Sequence, residues 1–188
     1  MTCIVGLVDN GTVYIGGDSA GVNTDNLSMS VRADRKVFRN GPFIMGFTSS
    51  FRMGQLLAHA LKPPKRRPGE DVYKYMVTRW IDAVRKCLTA GGSVEFENGA
   101  EKGGTFLVGY EGRLFLVDED YQIGEAADGF DACGSGGELA RGSLFSSGGA
   151  EPQDRILLAL AGAERMNAGV RAPFYTISSR EKQPRLVS

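Results

Sequence analysis

The second residue of this chain is a threonine, and its position gives it unusual chemical potential. Thr2 follows Met1 directly. If Met1 is removed, one residue carries both a hydroxyl nucleophile and a free α-amine, and the amine can serve as the base for the hydroxyl. A free α-amine has a pKa of about 8, so part of it is neutral near neutral pH, as a general base requires. The sequence therefore offers nucleophilic catalysis by Thr2, on condition that Met1 is removed.

Catalysis that depends on a histidine base is disfavoured. The chain has a single histidine, His59. A Ser-His-Asp or Cys-His site would have to use this one side chain. His59 lies off the apolar stripe that its neighbours form at helical spacing, so we expect it on the surface. A hydrolase built on this chain needs a different base, and the Thr2 amine would supply one.

Composition excludes several other classes of function. The 188 residues suit a single domain spanning 1–188, and 22 basic residues balance 22 acidic ones. A net charge of zero favours neither nucleic acid nor an anionic membrane as a partner. The three cysteines are far apart and form no zinc-binding pattern, so we expect no metal and no other cofactor. Free thiols, with no signal peptide and no stretch of membrane-spanning length, indicate a cytoplasmic protein.

A predicted β-hairpin positions Thr2. Two β-rich runs flank Asn10-Gly11, a strong signal for a two-residue hairpin turn. The pairing brings Asp18 back towards Thr2. An ideal two-residue turn would set Thr2 opposite Ser19 and leave Asp18 on the other face, and a bulge at Gly16-Gly17 would correct this. The sequence alone leaves the register open.

The rest of the pattern places pairs of helices between β segments. Helices are predicted from Ser49 or Ser50 and over 71–88, 137–145 and 152–167, whereas the glycine-rich segment 89–104 is predicted to be a loop. Strands are predicted at 36–38, 42–47, 105–110, 113–117, up to 133, and at 174–177. This order indicates an α+β protein, a four-layer αββα sandwich of two mainly antiparallel sheets.

Five short segments carry a more specific signal as a set. They read TCIVG at 2–6, YIGGDS at 14–19, RKV at 35–37, IMGF at 44–47 and CGSGG at 133–137. In this order and spacing they resemble the proteasome β-subunit family, most of all its compact bacterial members. The resemblance covers nearly the whole chain. It implies the N-terminal-nucleophile hydrolase fold and a threonine-type endopeptidase.

The resemblance also implies the roles of particular residues. Thr2 matches the nucleophile, Asp18 and Lys36 match a buried acid and lysine beside it, and Ser135 matches a serine near the terminal amine. A backbone N–H at Ser49 would donate to the oxyanion. A lysine cation beside the amine lowers the amine pKa and stabilises negative charge on the threonine oxygen. Asp18 would hold that lysine charged and oriented.

Other interpretations of these residues stay open at this stage. Without the resemblance, Asp18 suits a turn, Lys36 a solvated strand position and Ser135 a helix N-cap. Two segments also depart from the family pattern. Residues 48–51 replace a glycine-rich turn, and 165–169 lack, at the expected spacing, the aspartate and serine that support the terminal amine in the family.

Assembly is implied by the resemblance alone. It predicts a homo-oligomer, a ring or double ring, that degrades unfolded polypeptide and has an ATPase unfoldase as a candidate partner. Two alternatives remain. One is a catalytically inactive ring or scaffold protein of the same family. The other is a small-molecule amidase of the same superfamily, although such amidases are typically larger and often begin with cysteine or serine.

Overall fold

The computed structural model describes residues 1–23 and 25–187. Its helices are α1 (Phe51–His59), α2 (Val72–Tyr75), α3 (Ile81–Ala90), α4 (Gly137–Ser146) and α5 (Pro152–Met166), with a π-helical turn at Met76–Trp80. Its strands are β1 (Ile4–Asp9), β2 (Thr12–Gly17), β3 (Ala20–Val22), β4 (Met29–Val31), β5 (Val37–Asn40), β6 (Phe43–Phe47), β7 (Glu95–Glu97), β8 (Ala100–Lys102), β9 (Phe106–Tyr110), β10 (Arg113–Val117), β11 (Ile123–Gly124), β12 (Phe130–Cys133), β13 (Tyr175–Ser178) and β14 (Arg185–Leu186).

Two five-stranded antiparallel sheets form the centre of this described part of the chain. Their strand orders are β12-β1-β2-β13-β14 and β11-β10-β9-β6-β5. Helices α4 and α5 pack on the first sheet, and α1, with α3 beside it, packs on the second. The predicted αββα sandwich is therefore confirmed. No helix within residues 1–23 and 25–187 has the length and apolar character needed to cross a lipid bilayer.

Side-chain alternation along the strands explains the layers. In β1, Ile4 points between the two sheets, whereas Val5 and Leu7 point towards α4 and α5. The layer between α1, α3 and the second sheet is rich in aromatic side chains, including buried Trp80 and Phe106. Because both faces of β1 are buried, the strand that follows Thr2 is held from two sides.

The hairpin prediction is confirmed, and the register that the sequence left open is the ideal one, without a bulge at Gly16-Gly17. Asn10 and Gly11 have φ angles of 46° and 70°, the positive values that the favoured two-residue turn needs. The ladder runs without interruption to the pair Ile4–Gly17. Asp18 then lies opposite Cys3, and its N–H donates to the Cys3 carbonyl at 3.3 Å. No bulge is needed, because a third residue, described below, spans the distance from Asp18 to Thr2.

The segment predicted as a loop contains more structure than expected. Helix α3 continues to Ala90, and β7 and β8 form a hairpin within residues 89–104. Asn98 and Gly99 at its turn have φ angles of 49° and 82°. This is the same Asn-Gly signal as in the first hairpin. The flanking strands are only three residues long, which is why the prediction missed them.

Candidate active site

Thr2 lies just before β1, which pairs with β12 and β2, and only 6% of Thr2 is exposed. Its Oγ1 accepts a hydrogen bond from Lys36 Nζ at 2.6 Å and donates to the Met1 carbonyl at 2.5 Å. Its nitrogen donates to Ser135 Oγ at 3.1 Å, and its carbonyl accepts from the Gly136 N–H at 3.1 Å. Every polar group of Thr2 is thus held by a defined partner.

The hydroxyl side of Thr2 is a buried charged pair. Lys36 Nζ lies 2.8 Å from Asp18 Oδ1, and the two side chains are 1% and 0% exposed. Asp18 also accepts backbone N–H groups from Cys3 at 3.0 Å, Ala20 at 2.9 Å and Arg171 at 3.2 Å. A buried carboxylate is stable only when such donors satisfy its oxygens. Asp18 is therefore not simply a turn aspartate, and Lys36 is not solvated.

The electrostatics of Lys36 follow from this environment. Burial lowers the pKa of its ammonium group, and the negative charge and hydrogen bond of Asp18 oppose that shift. The ammonium group donates to both Asp18 and Thr2, so its charge lies directly beside the threonine oxygen. A cation at this position stabilises negative charge on that oxygen.

The nitrogen side of Thr2 is neutral and more exposed. Ser135 lies in the turn between β12 and α4, and its Oγ accepts the Thr2 N–H. Asn167, the residue that ends α5, donates from Nδ2 to the Ser135 carbonyl at 2.9 Å and accepts from Ser135 Oγ at 3.2 Å. The Ser135 side chain makes no N-cap bond to α4, so its contacts are to Thr2 and Asn167.

Sequence reasoning missed Asn167. An aspartate and a serine were expected in the segment that follows α5, and Asn167 is neither. The signal was present, because asparagine is favoured at helix ends and in turns, where its side chain bonds to nearby backbone. Its Oδ1 accepts the Gly169 N–H at 2.9 Å in such a turn.

Ser49, two residues after the end of β6, has a strained backbone. Its φ is 57°, a value that non-glycine residues seldom adopt. Its Oγ accepts the Thr105 N–H at 3.1 Å, and the next residue, Ser50, caps α1 as predicted. In the part of the chain that the structure describes, the Ser49 N–H makes no hydrogen bond. A donor without an internal partner is available to a ligand.

A groove of about 870 Å³ lies between β5 and α1, and neither Thr2 nor Lys36 lines it. Asp34, Arg35 and Val37, which flank Lys36 in the sequence, line it together with apolar side chains of β6 and α1, among them Phe47 and Phe51. The Lys36 ammonium lies 5.9 Å from the centre of the Phe51 ring. Phe51 therefore lies between the groove and the Lys36 ammonium.

Three other nucleophilic or basic groups do not compete with Thr2. Burial, and next the charge of Asp18, raise the pKa of the Cys3 thiol to about 12, so this thiol stays protonated. Cys133 is buried as well, and its pKa is raised well above the ordinary value by burial. His59 is exposed at the end of α1, as predicted.

The Met1–Thr2 peptide bond determines the state of the site. While the bond is intact, the Thr2 nitrogen is an amide and has no basic lone pair. Met1 packs against Gly169, where an added Cβ would lie 2.1 Å from the Met1 Cβ. The structure thus has room for Met1, and in this form its carbonyl binds the Thr2 hydroxyl.

Comparison with known proteins gives structural relatives only. No family model matches the chain, and no curated protein matches its sequence. BPH from Thiobacillus denitrificans, solved in complex with epoxomicin, superposes with a TM-score of 0.75 and 17% identity over 94% of this chain and 97% of that one. HslV from Trypanosoma brucei superposes with a TM-score of 0.65 and 15% identity over 94% of this chain and 98% of that one. The ancestral β-subunit Anbu from Yersinia bercovieri superposes with a TM-score of 0.67 and 13% identity over 100% of this chain and 87% of that one. The chain therefore has the N-terminal-nucleophile hydrolase fold of the proteasome-like subunits.

Proposed function

We propose that this protein, after removal of Met1, is a threonine-type endopeptidase that acts on unfolded polypeptide. The observation that carries the proposal is the hydrogen bond of 2.6 Å from Lys36 Nζ to Thr2 Oγ1, supported by the buried Asp18. A buried cation beside a threonine hydroxyl stabilises the alkoxide-like oxygen of an attacking nucleophile.

The proposed reaction uses Thr2 twice. The free amine takes the proton of Oγ1 as Oγ1 attacks the peptide carbonyl carbon, and a tetrahedral oxyanion forms. The protonated amine then gives this proton to the leaving nitrogen, the C–N bond breaks, and an ester to Thr2 remains. Water, deprotonated by the same amine, attacks the ester, and the proton returns to Oγ1 as the acid product leaves.

Two neighbouring features would bind the substrate. We propose that the Ser49 N–H, which has no partner in the described part of the chain, donates to the oxyanion. The groove between β5 and α1 would take a substrate side chain, and its Phe47 and Phe51 favour an apolar one. Phe51 links the groove to the site, because its ring centre lies 5.9 Å from Lys36 Nζ.

Self-assembly is part of the proposal. The outer helical layer exposes large apolar side chains, with Phe145 at 77% and Leu158 at 57% exposure, together with Leu139 on α4. Exposed apolar groups on packed helices favour contact with another copy of the chain. Sedimentation velocity of the purified chain at micromolar concentration should show an oligomer, and a pure monomer would contradict this part. An ATPase unfoldase stays a prediction from the resemblance.

The test is mass spectrometry after treatment with epoxomicin, a peptide epoxyketone that bridges a threonine hydroxyl and its own free amine. The chain is produced both with Met1 and with Thr2 as its first residue, released from a cleavable fusion. We expect a bridged adduct on Thr2 in the second form. The variant Thr2→Ala should give none, and Thr2→Ser should retain the reaction because it keeps both groups.

The two forms separate processing from competence. An adduct only on the Thr2-initiated chain supports a peptidase that must first lose Met1. Unmodified Thr2 in both forms, with the fold intact by circular dichroism, would overturn the proposal and favour the inactive scaffold. That alternative has one observation behind it, because the hydroxyl of the unprocessed chain binds the Met1 carbonyl.

A further inference from the structure

The side-chain amide of Asn167 has only one orientation that satisfies its neighbours. Its Oδ1 faces the Gly169 N–H at 2.9 Å, and its Nδ2 faces the Ser135 carbonyl at 2.9 Å. A backbone N–H only donates and a carbonyl only accepts, so a flipped amide would lose both bonds. The oxygen of Asn167 is therefore the atom that faces Ser135 Oγ at 3.2 Å.

This orientation fixes the direction of the next hydrogen bond. A serine hydroxyl has one proton to donate. It lies 3.2 Å from Asn167 Oδ1 and 3.4 Å from the Thr2 carbonyl, which already accepts the Gly136 N–H. With its proton on Asn167, Ser135 presents a lone pair to the Thr2 nitrogen at 3.1 Å.

We propose that Asn167 is a positioning residue that makes Ser135 an acceptor for the terminal nitrogen of Thr2, and does so without bringing a charge to the site. The inference rests on the proposed function. An amine that donates an N–H to Ser135 keeps its own lone pair for the proton of Oγ1. A reversed bond, with Ser135 donating, would occupy that lone pair and remove the base.

The neutrality of Asn167 matters as much as its orientation. The charged groups on the elements that meet at Thr2 are Lys36 and Asp18, Glu138 in the first turn of α4, and Glu164 and Arg165 at the end of α5, with Arg171 paired to Glu164. A carboxylate at position 167 would add a negative charge two hydrogen bonds from the amine. It would favour the protonated amine and reduce the fraction that acts as a base.

The test compares Asn167→Asp with Asn10→Asp in the chain that begins at Thr2. Both add one negative charge, but Asn10 lies in the hairpin turn at the far end of β1, where Asp-Gly is also tolerated. The rate of epoxomicin labelling is measured from pH 5 to 9. We expect the acid limb of Asn167→Asp to move upward by about one pH unit, and that of Asn10→Asp to stay in place.

A third variant separates orientation from charge. Asn167→Ala frees the Ser135 hydroxyl, so labelling should slow by about tenfold or more at every pH without a shift of the limb. An unmoved limb in Asn167→Asp, or an unchanged rate in Asn167→Ala, would overturn the inference. If the parent chain is not labelled at all, the proposed function fails, but the inference is still tested. NMR titration of the terminal amine in the ¹⁵N-threonine chain should show the same upward pKa shift, and equal values would refute it.

Discussion

The two sides of Thr2 differ in charge and in exposure to solvent. Its hydroxyl faces Lys36 and Asp18, which are charged, almost wholly inaccessible to water and tied to the sheets. Its nitrogen faces Ser135 and Asn167, which are neutral, more exposed and carried by the ends of helices. One residue therefore meets a low-dielectric ionic environment on one side and an ordinary polar surface on the other.

Reactivity is coupled to folding on the charged side of Thr2. Two buried charges are costly unless each is paired, and Asp18 is satisfied here by Lys36 and three backbone N–H groups from separate segments. That arrangement exists only in the folded chain, so the oxygen's environment and the stability change together. The neutral side carries no such cost. Substitution of the Ser135 or Asn167 side chain can change the behaviour of the nitrogen with little effect on the fold.

Removing the buried cation should have the largest effect. Lys36→Met keeps most of the side-chain volume but leaves Asp18 without its cation, so we expect a loss of about 3–5 kcal/mol in the free energy of unfolding. Epoxomicin labelling should also disappear. The matched control, Lys86→Met on the exposed face of α3, should change stability by less than about 0.5 kcal/mol. Urea denaturation measures both, and equal midpoints would show that the pair is not coupled to folding.

A change in the backbone beside Thr2 should disrupt the neutral side. Gly134 has a φ of 92°, and an added Cβ would lie 2.4 Å from the Thr2 carbonyl oxygen. Gly134→Ala should therefore cost about 1–3 kcal/mol for its backbone, plus the displacement of Thr2. Gly149→Ala is the control, because its φ is 88° and no atom lies within 4 Å. Labelling should fall only in Gly134→Ala. If both variants label equally, the contact with Thr2 does not position the nucleophile.

Much of the fold could be predicted because local signals agree with it. Asn10-Gly11 selects the turn, the alternation in β1 fits burial on both faces, and Ser50 caps α1. The burial of Lys36 could not be predicted from local pattern. A lysine at the start of a strand is usually solvated, and only the distant Asp18 and Thr2 make its interior position favourable.

The nitrogen side was harder to predict for a different reason. Ser135 and Asn167 meet because α4 begins and α5 ends at the same edge of the first sheet, and their separation of 32 residues leaves no periodic signal. A search for fixed residue types overlooked Asn167, although an amide supplies an acceptor and also a donor, which a carboxylate lacks. The start of α4 and the end of α5 lie close together only because the helical layer packs on the sheet, and local sequence does not encode that packing.

Loss of the Ser135 hydroxyl should separate rate from stability. Ser135→Ala removes the acceptor of the Thr2 nitrogen but no buried group, so the free energy of unfolding should change by less than about 0.5 kcal/mol. Labelling should slow by about 10- to 100-fold, because the amine is no longer oriented. Ser146→Ala, at the far end of α4, should affect neither quantity. A stability loss as large as that of Lys36→Met would contradict the division between the two sides.

An effect confined to alkaline pH is expected on the charged side. The pKa of Cys3 is raised from an ordinary value of 9.0 to about 12, first by burial and then by Asp18. Above pH 9 the Cys3 thiol loses its proton in the unfolded chain but keeps it in the folded one. The free energy of unfolding therefore falls as pH rises towards 12. Cys3→Ala should flatten this decline by up to about 1.4 kcal/mol per pH unit. The lowered pKa of Lys36 acts in the opposite direction, but it is present in both chains and cancels in the difference. Urea titrations should run parallel from pH 6 to 8 and diverge from 9 to 11, and curves that stay parallel throughout would show that the Cys3 thiol ionises freely in the folded protein.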